Sequence, residues 1–194
     1  MTRDEAYALV CQFTQSESLR KHMLAVEAAM VHYAGILGGD TEEFAITGLL
    51  HDFDYESHPD LGEDGHPFWG VRYLREHARL PEHVLEAILG HYTGSGVARV
   101  SKLAIALFAV DELCGFCTAA VYVRPDKSIH HLEVASVKKK LKDKAFAKGV
   151  NRADIALGLE ELQGILPELT LETHIENVIT GLRARAEALG LAGI

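Results

Sequence analysis

Two side chains stand out because of where they fall. His22 lies on the apolar stripe Leu19, His22, Val26, Ala29, Tyr33 of one predicted helix, and Asp111 on the stripe Ala104, Leu107, Phe108, Asp111, Cys114 of another. Between them His51 and Asp52 stand side by side, closing the apolar stretch that begins at Phe44. An ionised carboxylate buried without a partner is heavily penalised, and a buried salt bridge recovers only part of that penalty. Mid-helix Asp is also a poor cap. A divalent cation shared by His22, His51, Asp52 and Asp111 offsets the desolvation of all four together. Taken alone, His22 reads as a hydrogen-bonded core histidine; the combination points to metal. Imidazole and carboxylate without thiolate suit Fe, Mn, Zn, Co or Ni better than Ca.

The elements that must position these groups are helical nearly throughout. Thr2 with Glu5 forms a capping-box pattern opening a helix to about Phe13. A second helix is predicted from about Ser16 to Leu37 and ended by Gly38-Gly39. Asp40 or Thr41 caps a third, which delivers His51-Asp52 at its C-terminal end, before a polar loop over residues 53–64. Pro67 and Pro81 suit the first turns of a fourth and a fifth helix, where a missing N–H goes unnoticed. Ser101 caps a strongly apolar helix reaching Cys114 or beyond, with Ala119–Val123 read as its continuation rather than a short strand. Further helices are predicted at about 128–146, 151–163 and 170–189. The fold class is all-α, a single domain without repeats or linkers.

Composition bounds the function. The chain has 194 residues, 48% hydrophobic and 24% charged, the balance of a soluble globular protein. Its longest unbroken apolar run, Leu103–Val110, is too short to span a bilayer, and no secretory signal opens the sequence. A cytoplasmic protein without membrane contact is expected. Three cysteines make no disulfide framework, and Cys114-Gly-Phe-Cys117 reads as small buried thiols rather than a zinc or redox pair. The net charge of −9 argues against duplex nucleic acid. Yet residues 124–152 hold nine Lys/Arg against three acids, a strip able to hold a small phosphorylated ligand. Nothing in the sequence speaks for or against a homo-oligomer.

The order His22, His51-Asp52, Asp111 within helices resembles the HD superfamily of metal-dependent phosphohydrolases, over residues 16 to about 116. Leu49-Leu50-His51-Asp52 and Ala109-Val110-Asp111-Glu112 carry the likeness. It implies a helical bundle of HD type, with a core at about 16–116 and a C-terminal helical elaboration at about 117–194. His66, opening a helix, and His91, closing one, extend the pattern to the six-ligand site of two-metal HD proteins, including bacterial diadenosine tetraphosphate hydrolases. His58, in the same loop, competes with His66. By this resemblance one or two divalent ions (Fe, Mn, Zn, Co, Ni or Mg) bind, with Asp52 as the bridge and a catalytic residue.

The expected activity is hydrolysis of a phosphate ester or anhydride of a nucleotide or other small phosphorylated metabolite by metal-activated hydroxide. Arg124, Lys138, Lys139, Lys140 and Lys144 are the expected phosphate contacts. Ser136–Arg152 is similar to a segment of uncharacterised bacterial HD hydrolases of this length. Two departures matter. Many HD enzymes carry Lys three positions after the HD aspartate, where this chain has Tyr55 beside Asp54, and the Gly-Tyr-Pro signature of cyclic-dinucleotide phosphodiesterases is absent. The alternatives are an HD-type di-iron oxygenase and a non-catalytic nucleotide-binding module.

Overall fold

The computed structural model describes residues 1–194 and is built from ten α-helices, with no β-strand beyond two isolated bridges. In chain order these are α1 (Arg3–Phe13), α2 (Glu17–Leu37), α3 (Thr41–Leu50), α4 (Phe68–His77), α5 (Glu82–Gly90), α6 (Lys102–Tyr122), α7 (Val134–Leu141), α8 (Arg152–Ile165), α9 (Leu171–Arg183) and α10 (Ala186–Leu189). Capping decides several boundaries. Thr2 and Glu5 form the reciprocal box, and Ser16, Asp40 and Ser101 each accept a hydrogen bond from a backbone N–H three residues on. Pro67 and Pro81 sit at the N-cap, one position earlier than expected, where their missing N–H is equally dispensable. Ala119–Tyr122 continue α6 as helix.

The long helix α2 lies at the centre, against α3, α6 and α9, and α6 in turn packs on α5 and α8. Gly48 lets α3 approach α2 closely: a Cβ there would stand 2.9 Å from the Glu27 backbone. A contiguous core of 47 buried apolar residues takes side chains from Ala6 in α1 to Leu191 at the C-terminus. Helix α6 is long and apolar enough to cross a membrane, but its apolarity is spent inside the fold, where all of Leu103–Val110 is buried. Cys114 and Cys117 are buried on the same helix, and burial pushes both thiols up, Cys117 to about 12.

The C-terminal part departs from the expected helices. In place of one helix over 128–146 there is a 3-10 turn at Ile129–His131, the short α7, and then irregular chain to Asn151. Arg152 holds the irregular stretch in place. Its guanidinium donates to the carbonyls of Leu141, Asp143, Phe146, Ala147 and Val150, so the segment wraps around a cation instead of closing its own ladder. The predicted 170–189 helix is divided into α9 and α10, and the turn between them carries Leu189 and Leu191 into the core.

Candidate metal centre

Five chain segments bring six side chains together. His22 comes from α2, His51 and Asp52 from the end of α3, His66 from the residue before Pro67, His91 from the C-cap of α5, and Asp111 from α6. Three of the imidazoles are fixed in one tautomer by groups that only accept. His51 donates its Nδ1–H to the Gly48 carbonyl at 2.8 Å, His66 to Asp54 Oδ1 at 2.8 Å, and His91 to the Ile88 carbonyl. In each neutral ring Nε2 therefore carries the lone pair, and all three Nε2 atoms converge on carboxylate oxygens. His51 Nε2 is 3.3 Å from Asp52 Oδ2 and 3.4 Å from Asp111 Oδ1. His66 Nε2 is 3.2 Å from Asp52 Oδ1 and 3.1 Å from His91 Nε2, itself 3.5 Å from Asp52 Oδ1. His22 Nε2 completes the ring at 3.0 Å from Asp111 Oδ1 and 3.7 Å from Asp52 Oδ2.

Lone pairs facing lone pairs at these separations repel unless a positive charge lies between them. His51 Nε2 is buried without any hydrogen-bond partner. Burial opposes charge on His51, but Asp52 and Asp111 outweigh it and push the imidazole well above the ordinary histidine range. Burial likewise works against ionised Asp52, while His51 and His91 hold its carboxyl well below the usual carboxylate range; Asp111 is lowered in the same way by His51 and His22. A proton and a divalent cation thus compete for the same nitrogens in the same field. The donor atoms fall into two overlapping triads, His22–His51–Asp52 and Asp52–His66–His91, each within 4.8 Å. Asp52 is common to both, with Oδ2 toward the first pair of histidines and Oδ1 toward the second. This donor set fits one or two divalent ions of the N/O-preferring kind.

The cluster opens into a cavity of about 520 Å³, lined by His22, Asp52, His66, His91 and Asp111 together with Tyr55, Leu61, Tyr92, Thr93, Phe108, Glu112, Asn151 and Asp154. Tyr55, at the position where many HD enzymes have Lys, stands edge-on to His66 with ring centroids 5.2 Å apart. His58 takes no part: it stacks on Trp69 at 3.8 Å. The basic residues are elsewhere, which corrects the expectation that they reach the site. Arg124 pairs with Asp126, Lys138 with Glu172, and Lys140 lies over the Phe146 ring. Lys138 and Lys139 line a separate groove between α7 and α9. None of these, nor Lys144, borders the cavity, and α7, which carries the three adjacent lysines, packs on α9 and α6.

Sequence reasoning missed Asp54 and the far wall. Asp54 is buried, accepting from His66 Nδ1 and, through Oδ2, from the Gly70 N–H at 2.8 Å. Gly70 is required there, since a Cβ would fall 2.6 Å from the carboxylate. Its signal was present, a carboxylate two positions from Asp52 at the start of a polar loop. Asn151 and Asp154 had none, because only the chain path brings α8 to this cavity.

A helical scaffold enclosing four imidazoles and two carboxylates defines a mixed nitrogen–oxygen metal-binding site. The HD domain family model matches residues 19–115, half of the chain, and the chain belongs to that family, one largely of metal-dependent hydrolases. Neither the curated proteins nor the solved structures yield a match.

Proposed function

We propose that the protein is a metal-dependent phosphohydrolase that cleaves a phosphate ester or anhydride of a small metabolite at the His/Asp cluster. One observation carries the reading: three imidazoles whose Nδ1–H groups are held by acceptors aim their Nε2 atoms at the Asp52 and Asp111 carboxylates, leaving Nε2 as the atom open to a metal. Family membership supports the same reading. A divalent ion bound there supplies Lewis-acid polarisation of a phosphoryl oxygen and lowers the pKa of water. In the net reaction a water oxygen bonds to phosphorus as the P–O bond to the leaving group breaks, and the alcohol or phosphate departs with the balancing proton.

The chain's own residues have distinct tasks. His22, His51 and Asp111 hold one side of the cluster and His66 and His91 the other, with Asp52 serving both. Asp54 and the Gly48 and Ile88 carbonyls fix ring orientation. Tyr55, Leu61, Tyr92 and Phe108 give the cavity apolar surface that limits bulk water around the reacting group.

The test is elemental analysis of the purified protein alongside phosphate release across Mn, Fe, Co, Ni, Mg and Zn. Asp52→Ala should lose bound metal and turnover together, and full activity in that variant overturns the proposal. A coloured protein that consumes oxygen and releases no phosphate would instead support the oxygenase alternative.

A further inference from the structure

The metal centre leaves the Lys-rich helix α7 without a role, yet that helix borders a groove larger than the metal cavity. The groove, of about 790 Å³, runs between α7 and α9. Lys138, Lys139 and Lys142 stand on its α7 side, Glu172 and Glu176 on its α9 side. The two sides do not balance. Both acids are engaged, Glu172 with Lys138 and Glu176 with Arg183 at 2.8 Å, whereas Lys139 and Lys142 are exposed and have no ion-pair partner. Lys144 and Lys148, on the chain that follows, are likewise exposed and unpaired. The chain has 28 acids against 19 Lys/Arg, so four free lysines in one short stretch are a local excess that the fold itself does not use.

Charge is only half of this surface. Thr173 and Asn177 of α9 line the groove and also line an adjoining depression of about 450 Å³. Its other walls are Ile36 near the end of α2 and Ile165, Leu166 and Leu169 where α8 turns into α9. Ile36 is 40% exposed, a large apolar side chain left facing solvent. Side by side along α9 there are thus free ammonium groups and an apolar hollow. A small anion would use only the first, and duplex nucleic acid has nothing to place in the second. A flat bilayer surface does not follow a concave floor. A polypeptide segment with carboxylates and apolar side chains matches both. We propose that this face of α9 docks an acidic amphipathic segment of a partner protein, its carboxylates on Lys139 and Lys142 and its apolar side chains on Ile36, Leu166 and Leu169. The docking face shares no residue with the lining of the metal cavity, so the proposal stands apart from the chemistry there.

The experiment selects a random library of short peptides, displayed on yeast, for binding to the full chain. Enriched peptides should combine Asp or Glu with apolar residues. By fluorescence polarisation they should bind Lys139→Glu/Lys142→Glu about tenfold or more weakly than wild type. Ile36→Ser should weaken them severalfold, whereas Lys127→Glu, the same charge change outside the groove, should leave affinity unchanged. All these positions are exposed, and urea unfolding checks that each variant keeps its fold. No enrichment, enrichment without acidic residues, or equal weakening by Lys127→Glu overturns the proposal. So does tighter binding to phosphatidylglycerol vesicles than to the peptides, or wild-type self-association that Lys139→Glu/Lys142→Glu abolishes, since either gives this face a different occupant.

Discussion

Replacing Asp54 by Asn removes a charge without changing shape, and the local geometry dictates the result. Asp54 accepts from both sides, from His66 Nδ1 and from the Gly70 N–H, each at 2.8 Å. An Asn has one acceptor and one donor for these two partners. If its oxygen faces Gly70, its NH2 faces His66, whose Nδ1 must give up its proton. That proton then moves to Nε2, the nitrogen 3.2 Å from Asp52 Oδ1 and needed for metal. If the amide flips, two donors oppose each other beside Gly70 in a buried place, at about 1–3 kcal/mol. Loss of such an orienting partner typically weakens metal binding about 10–100-fold, or roughly 1.4–2.7 kcal/mol. Equilibrium dialysis against graded chelator, read by elemental analysis, should show weakened binding confined to one ion, the His22–His51 side being untouched. Wild-type affinity and stoichiometry in Asp54→Asn would refute the role given to the Asp54–His66 bond.

Three further outcomes are expected. His91→Ala should lower metal stoichiometry without abolishing it, whereas Asp52→Ala should abolish it; equal residual stoichiometry in both would argue against a shared carboxylate. His174 is buried between the Tyr33 hydroxyl and the Ala109 carbonyl and is pushed down to about 4, chiefly by burial. Unfolded histidine binds its proton near pH 6.5, so acid favours the unfolded state: stability falls between pH about 6.5 and 4, by roughly 3 kcal/mol in total. Urea unfolding of wild type and His174→Gln should converge by about that amount over this range, and parallel curves would exclude His174 as the source. Arg152→Leu should free the 142–150 segment, seen as proteolysis confined to that stretch; unchanged cleavage would mean that its carbonyl bonds are dispensable.

Much of the architecture was legible because helix signals are local. Thr2, Ser16, Asp40 and Ser101 cap where their chemistry places them, and apolar periodicity fixes α2 and α6. His22 and Asp111 could be singled out because polar groups on apolar stripes need an explanation, and the structure brings both to the same cluster. The failures are non-local. A Lys-rich helix face looks the same in sequence whether it borders a cavity or pairs with Glu172 on a neighbouring helix. Arg152 lies outside the helical pattern whose irregular end it holds, and Asn151 and Asp154 reach the cavity wall from a segment about forty residues beyond Asp111.

The stretch common to the family ends at residue 115, but the room in which the chemistry is proposed does not. Asn151 and Asp154 furnish part of its wall, and His174 plugs the back of α6 through the Ala109 carbonyl, two residues before Asp111 in the chain. Cutting the protein at the family boundary would therefore open the chamber to bulk solvent and strip the support behind Asp111. What distinguishes one relative from another in this fold can thus be carried by the tail that the shared motif leaves unspecified.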